Sequence, residues 1–90
     1  GYYKPGAYGI RIENLVVVVE HDRPEGGEKD LLGFETLTWA PIDRHLIKIE
    51  LLNERESTWL NGYHSKVQEN LAPFLDSGEA AWLESATATM

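Results

Sequence analysis

Hydrophobic and polar residues alternate along the first part of the chain with the period of two that is typical of β-strands. Residues 10–13 alternate between isoleucine and a charged side chain, and four consecutive valines occupy residues 16–19. Alternation predicts a strand with one apolar face, whereas an unbroken apolar run predicts a strand buried on both faces. We therefore predict a strand over about residues 8–20, bent near Asn14, with its valine run buried.

Turn-forming residues separate this strand from its neighbours. Lys4-Pro5-Gly6 predicts a turn before it, because proline presets a negative φ and glycine tolerates a positive one. The glycine-rich and charged residues 21–33 predict an exposed hairpin loop. Residues 34–39 alternate again and predict a strand that returns antiparallel to the valine strand.

A connector and two helices are predicted for the second half. Residues 42–52 predict a connector packed on the body of the protein, with a helical turn near residues 43–47. Asn53 and Glu56 have the spacing of a capping box, and the helix they begin should end at residues 71–75 because of Pro73. Its predicted buried stripe consists of Leu60, Tyr63, Val67, Leu71 and Phe74, widened by Trp59.

The second helix is predicted over residues 78–86, after a cap at Asp76-Ser77, and residues 87–90 are expected to fray. Its expected buried positions are Ala81, Trp82 and Ala86. Together the elements predict an α+β fold, in which a small antiparallel sheet is followed by two C-terminal helices.

Charge and composition narrow the possible partners. The chain has 15 acidic residues against 8 Lys and Arg, a net charge of −7, so we predict no nucleic-acid partner. The absence of cysteine excludes disulfides and thiolate metal sites and fits a cytoplasmic protein. The longest apolar run, residues 15–19, is too short to cross a bilayer, so no membrane association is expected.

Arg11 and Glu13 are the candidate chemistry of the chain. They point to the same face of the predicted strand, beside the valine run. Glu13 could be a metal ligand or half of an ion pair; periodicity alone does not choose between them, and without further evidence the ion pair is the favoured interpretation. Arg11 could be a plain surface residue or could pair with Glu20 or Glu35 across the sheet. Among the histidines, His64 lies on the helical stripe and is predicted to pack in a hydrogen-bonded form.

Several segments together resemble one known family. They are residues 1–3, residues 6–14 with Gly-Ile-Arg-Ile-Glu-Asn, and residues 34–38, 40–43, 59–61, 63–64 and 82–83. They resemble the end of the catalytic domain and the C-terminal extension of Xaa-Pro aminopeptidases (aminopeptidase P), metallopeptidases of the pita-bread fold. The resemblance implies that residues 1–32 are the end of the pita-bread domain and that residues 33–90 form the extension domain.

The resemblance also implies roles for the two charged residues. Members of this family hold two divalent metals, usually manganese, with two Asp, one His and two Glu, and Glu13 matches the Glu that bridges both metals. Arg11 matches a residue that keeps a metal-binding aspartate in place. Gly1 would follow a Glu-Pro pair in a longer protein, with the other ligands and the catalytic residues upstream. No catalytic residue and no bound metal are therefore expected in this piece alone.

Two functions stay open on this evidence. The first is the C-terminal part of a metal-dependent Xaa-Pro aminopeptidase, which releases an N-terminal residue that precedes proline and forms a cytoplasmic homodimer through the extension. The second is an autonomous, non-enzymatic module for dimerisation or docking, in which Glu13 is only an ion-pair partner. As an isolated piece of a larger domain, the chain would leave the valine strand without its sheet neighbours, which predicts self-association by edge pairing or by exchange of strands.

Overall fold

The computed structural model describes residues 1–22, 26–27 and 31–90, which form two compact units, residues 1–38 and 39–90. The strands are β1 (Tyr2–Lys4), β2 (Tyr8–Ile10), β3 (Val16–His21) and β4 (Leu31–Thr36), and the helices are α1 (Glu54–Leu71) and α2 (Ser77–Thr87). The predicted α+β class is confirmed. The predicted domains, residues 1–32 and 33–90, follow from the family resemblance, whereas the two units follow from contacts within the structure. The predicted domain boundary therefore stays a prediction.

The first unit begins with a hairpin of two three-residue strands, in which Tyr3 lies opposite Gly9. The Ala7 N–H donates to the Lys4 carbonyl at 3.1 Å, and Gly6 has a φ of 71°. Proline followed by a glycine of positive φ is the signature of a type II turn. The predicted turn is therefore confirmed, and the short strand β1 before it was not predicted.

Strands β3 and β4 form a second, separate antiparallel sheet. Its register runs from Val16 opposite Thr36 to His21 opposite Leu31. The predicted return strand is confirmed, although β4 begins and ends three residues earlier than predicted. The predicted loop over residues 21–33 falls in part outside the described residues, and its last three residues belong to β4.

The predicted strand over residues 8–20 is interrupted, because residues 11–15 are not in a strand. Its first part pairs with β1 and its last part with β4, so the backbone must leave one ladder before it enters the other. At the entry to β3, Leu15 donates its N–H to the Thr38 hydroxyl oxygen and accepts from the Leu37 N–H, each at 2.9 Å.

The valine run is exposed, which contradicts the prediction of a buried strand. Val16, Val17 and Val18 expose 48%, 40% and 56% of their surface, and Val19 is half-buried. Apolar runs are buried where a second layer of structure covers the sheet. No residue of the described part of this unit is fully buried, so the sheet has no such layer within it.

The second unit is built on α1. The predicted capping box is present: Asn53 accepts from the Glu56 N–H at 2.8 Å, and the Glu56 carboxylate accepts from the Asn53 N–H at 3.0 Å. The helix ends at Leu71, and a 3-10 turn over Ala72–Phe74 follows, as Pro73 predicted. Of the predicted stripe, Leu60, Tyr63 and Val67 are buried and Leu71 is half-buried, but Trp59 and Phe74 expose 56% and 85%.

Helix α2 begins at a second capping box, between Asp76 and Glu79. Its buried residue is Leu83, which packs against Tyr63 and Val67 of α1. The structure exposes the predicted core positions Ala81 and Trp82 and half-buries Ala86. Adjacent residues of a helix point about 100° apart. The face predicted to be buried was centred on Trp82, whereas the face that contacts α1 carries Leu83. Neither helix, within the described residues, is long and apolar enough to cross a membrane.

The connector contains two 3-10 turns, Arg44–Leu46 and Ile49–Leu51, and the first of them is the predicted helical turn. Ile42 packs against the core, as predicted. Three other apolar residues of the connector are exposed, which contradicts the predicted packing: Leu46, Ile49 and Leu51. Three-residue turns put successive side chains on different sides, so only some of them reach the helices.

The last residues are held in place, contrary to the predicted fraying. The Met90 N–H donates to Asn61 Oδ1 at 3.0 Å, and Asn61 Nδ2 donates to the Met90 carbonyl at 3.3 Å. The Arg44 guanidinium donates to the Ala88 carbonyl. Side chains of α1 and of the connector therefore satisfy backbone groups that follow the end of α2.

Candidate functional site

Arg11 and Glu13 lie side by side in the segment that joins β2 to β3. Arg11 Nη2 is 2.9 Å from Glu13 Oε2, and the two side chains are 60% and 68% exposed. The structure thus confirms that both point the same way, although their backbone is not in a strand. Glu13 presents its carboxylate to solvent on the described part of the first unit.

Tyr3 is the third member of this polar cluster. Arg11 Nη1 donates to the Tyr3 hydroxyl oxygen at 3.0 Å. The guanidinium is therefore held at both ends, by a phenol and by a carboxylate, and its planar fork fixes the direction of each contact. Sequence reasoning missed Tyr3 because it did not predict β1, whose pairing with β2 brings Tyr3 beside the segment that carries Arg11.

Gly9 makes room for the Tyr3 ring. A Cβ atom at Gly9 would lie 2.7 Å from Tyr3 Cδ1 and 3.0 Å from Cε1, which is too close for two carbon atoms. Any larger residue at this position would push the ring aside, away from its hydrogen bond with Arg11. The glycine of the Gly-Ile-Arg-Ile-Glu-Asn segment therefore supports the cluster sterically.

The Arg11–Glu13 ion pair by itself stabilises the first unit only slightly. Exposed ion pairs stabilise proteins by about 0–1 kcal/mol, since solvent screens them, so the pair adds little to stability.

Arg11 pairs with Glu13, and among the described residues it forms no ion pair with Glu20 or Glu35, the partners considered as alternatives. The second oxygen of Glu13, Oε1, has no hydrogen bond to a described residue and is available to a ligand.

A metal centre needs more ligands than this cluster offers. In residues 1–22, 26–27 and 31–90, no three His, Asp or Glu side chains are placed to hold a metal ion. A carboxylate of Glu is nevertheless a donor that hard divalent cations prefer. Ligation by Glu13 therefore stays a prediction, and it requires partners other than the described residues of this chain.

Two histidines of the second unit have structural contacts. His64 is fully buried, and its Nε2 accepts from the Ile42 N–H at 3.0 Å, so the predicted packing role is confirmed. Burial, with a smaller contribution from the Arg44 charge, lowers the pKa of His64. His45 contacts Asp43 Oδ1 through its backbone N–H and through Nδ1, and these hydrogen bonds, the backbone one first, lower the pKa of Asp43.

Comparison with protein families gives one match over most of the chain. Residues 30–90 match the family described as the C-terminal region of peptidase M24. The matched residues include the whole of the second unit and the whole of β4 with the segment that follows it.

Comparison with individual proteins covers almost the full length of the chain. Aminopeptidase P1 of Lotus japonicus and of Arabidopsis thaliana are each 46% identical to it, over 89 and 88 residues, or 97% of the chain. A probable Xaa-Pro aminopeptidase P of Coprinopsis cinerea is also 46% identical over 90 residues. The chain spans 14% of the length of each of these relatives.

A solved structure has the same fold. The crystal structure of X-prolyl aminopeptidase from Caenorhabditis elegans, described as a cytosolic enzyme with a di-nuclear active site, superposes with a TM-score of 0.84 at 33% sequence identity. The match covers 99% of this chain and 15% of that one.

Proposed function

This chain belongs to the family formed by the C-terminal region of peptidase M24, and from that premise we propose that it is the C-terminal part of a metal-dependent Xaa-Pro aminopeptidase. The observation that carries the proposal is the 46% identity to aminopeptidase P1 over 97% of the chain, together with the fold shared with X-prolyl aminopeptidase. Since the chain spans 14% of those relatives, the activity belongs to a longer polypeptide, and this part alone is expected to be inactive.

The proposed substrates are peptides whose second residue is proline. The names of the relatives, Xaa-Pro and X-prolyl aminopeptidase, support this substrate class and the release of the residue before proline. A cytoplasmic location is proposed on the same ground, because the enzyme from Caenorhabditis elegans is described as cytosolic.

Glu13 is proposed as a carboxylate that bridges two divalent metal ions, with manganese as the proposed metal. The di-nuclear site of the structural relative and the free Oε1 of Glu13 support this role. Bound there, the metals would supply Lewis-acid activation of water for attack on the peptide bond. The remaining ligands are proposed to come from the polypeptide outside this chain, since the described residues contain no group of three donors.

Arg11 is proposed as a positioning residue. Its guanidinium already contacts Glu13 at 2.9 Å and the Tyr3 hydroxyl at 3.0 Å, so it limits the directions in which the Glu13 carboxylate can turn. Residues that orient metal ligands in this way typically change metal affinity or activity by about 10–100-fold when they are replaced.

The test of the Glu13 role uses the full-length protein with Glu13→Gln, which keeps the size of the side chain and removes its charge. The expected result is a loss of bound metal, measured by elemental analysis, and a fall in kcat on an Xaa-Pro peptide of roughly a hundredfold or more. Glu20→Gln, an exposed acid of the same unit, is the matched control and should keep both. Normal metal content and kcat in Glu13→Gln would refute the bridging role and leave Glu13 as an ion-pair partner of Arg11 only.

A homodimer is proposed to form through the second unit. Trp59 and Phe74 expose 56% and 85% of their surface, and exposed aromatic residues are typical of protein interfaces. Sedimentation of the full-length protein should give the mass of a dimer, and Phe74→Ser should weaken it. The uncovered β3 edge supports self-association of the isolated chain as well. A full-length protein that sediments as a monomer would contradict the proposed homodimer, and an isolated chain that stays monomeric at high micromolar concentration would contradict its self-association.

A further inference from the structure

A cleft of about 400 Å³ opens on the second unit, between the connector and α2. Its apolar lining includes Ile42, Trp82 and Ala86, and the Trp82 side chain remains largely exposed at 63%. Small-molecule sites in proteins commonly have volumes of about 300–1,000 Å³ and apolar walls with a few polar groups. The cleft has the size and the walls of such a site.

Arg44 supplies the positive charge of the cleft. Its Nη2 donates to the Ala88 carbonyl after α2, which fixes the guanidinium in one place. The residue is half-buried, and within the described residues it forms no ion pair with a carboxylate. Its Nε atom is buried and makes no hydrogen bond. A guanidinium removed in part from water and left without an anion attracts one, because carboxylates match its planar fork.

The acidic residue of the cleft limits the charge of that anion. Asp43 also lines it, but Oδ1 of Asp43 already accepts from the His45 backbone N–H at 2.9 Å and contacts His45 Nδ1 at 3.0 Å. The Asp43 carboxylate therefore contacts His45 and forms no ion pair with its sequence neighbour Arg44. A neighbouring negative charge disfavours a phosphate more than a carboxylate, because the repulsion grows with the ligand's charge.

We propose that this cleft binds an amphipathic organic carboxylate. Its carboxylate accepts hydrogen bonds from Arg44, and its apolar body lies against Trp82 and Ile42. A free small acid and the C-terminal residue of a peptide share this chemistry. The site uses no residue of the Arg11–Glu13 cluster, so it is independent of the proposed peptidase function.

The test is a titration of the 15N-labelled 90-residue chain, followed by NMR at the Trp82 indole N–H, which is assigned from its loss in Trp82→Phe. The probes are hydrocinnamate, its neutral amide and inorganic phosphate. Hydrocinnamate should shift the Trp82 signal saturably, and the amide and phosphate should bind at least about tenfold more weakly. Equal binding of the acid and the amide, or no saturable shift, would overturn the proposal without the use of any variant.

Two pairs of variants locate the contacts. Arg44→Gln should weaken hydrocinnamate binding about tenfold or more, and Arg55→Gln, which removes an exposed charge of α1, should leave it unchanged. Trp82→Ala should abolish binding measured on the other cleft signals, and Trp59→Ala, of similar exposure outside the cleft, should not. The NMR spectrum of Arg44→Gln shows whether this variant folds; if it does not, Arg44→Met, which keeps an unbranched side chain and removes the charge, serves in its place. Unchanged affinity in a folded Arg44 variant would refute the contact.

A second pair of ligands distinguishes a free small acid from the C-terminal residue of a peptide as the source of the bound carboxylate. Acetyl-Gly-Phe as the free acid presents a peptide C-terminus, and acetyl-Gly-Phe amide does not. Tighter binding of the peptide acid than of hydrocinnamate would assign the cleft to chain ends, and the reverse order would assign it to free small acids. Failure of both acids to bind would overturn the proposal.

Discussion

The two units of the chain differ in what they can bury. In the described part of the first unit, side chains are at most half-buried, and the valines of β3 are exposed. In the second unit, Tyr63, Val67 and Leu83 form a buried cluster between two capped helices, and Leu60 and His64 are buried as well. The first unit is held by backbone hydrogen bonds and by exposed side-chain contacts such as Arg11 with Tyr3, whereas the second also has a buried apolar core.

This difference indicates which unit is complete by itself. A two-stranded sheet is marginally stable in water unless its apolar face is covered. Two helices with an interlocked apolar seam and satisfied ends can stabilise each other. We infer that the second unit unfolds cooperatively in the isolated chain, and that the first needs the longer polypeptide proposed above to become stable.

The largest expected effect comes from removing the centre of the second unit's core. Leu83→Ala should destabilise this unit by about 3 kcal/mol, because the side chain is 1% exposed and its removal leaves a cavity. Tryptophan fluorescence in a urea titration reports this unit alone, since Trp39, Trp59 and Trp82 all lie in it. Leu51→Ala, at a residue 76% exposed, is the control and should change stability by less than about 0.5 kcal/mol. A cost below about 1 kcal/mol for Leu83→Ala would mean that no single core holds the unit.

A pH-dependent effect should follow from the buried histidine of the same unit. Burial lowers the pKa of His64 in the folded state below its ordinary value of 6.5. The unfolded chain therefore binds a proton at His64 that the folded chain does not, and stability, complete above about pH 6.5, is lost as pH falls through the lowered pKa. The loss can reach about 1.4 kcal/mol per pH unit.

Urea titrations between pH 7.5 and 5 measure this loss. His64→Phe removes the titrating group and should flatten the pH dependence, although it also removes the acceptor of the Ile42 N–H and lowers stability at every pH. His45→Gln, which removes an exposed histidine of the connector, should keep the dependence. A stability independent of pH in the unmodified chain would contradict the inferred cost of burying a charged His64.

A smaller effect is expected at the beginning of α1. Asn53→Ala removes the acceptor of the Glu56 N–H and should cost about 1 kcal/mol. Asn70→Ala, an exposed position near the end of the same helix, controls for the change of residue type and should be neutral or slightly stabilising. Equal effects at the two positions would show that the cap contributes nothing beyond helix propensity.

The features that sequence predicted are those decided by nearby residues. The turn at Gly6, the capping box at Asn53 and the end of α1 before Pro73 each depend on a few consecutive positions. Burial of the valine run failed because it depends on a covering layer that the described unit does not contain. The face of α2 failed because Trp82 and Leu83 are adjacent, and hydrophobicity alone does not decide which one meets α1.

The candidate site shows the same division. Spacing predicted that Arg11 and Glu13 share a side, because that is a local property of the backbone. It could not predict Tyr3, whose contact with Arg11 depends on the pairing of β1 with β2. The metal ligand role of Glu13 depends on still more distant residues, so it rests on family resemblance and on the experiment proposed for it.

The smallest change in stability in the isolated chain is expected from a substitution at Val17. The same substitution tests directly whether the first unit lacks a covering layer that the second unit does not need. Val17→Thr exchanges a methyl group for a hydroxyl at nearly constant shape, and Val17 is already 40% exposed. Amide hydrogen exchange of β3, which measures the local free energy of opening, should change by less than about 0.5 kcal/mol. In the full-length protein the same substitution should cost about 1–3 kcal/mol if the sheet is covered there, because the hydroxyl is then buried. Equal small costs in both would mean that β3 stays exposed in the longer polypeptide, and the first unit would then be incomplete for a reason other than a missing layer.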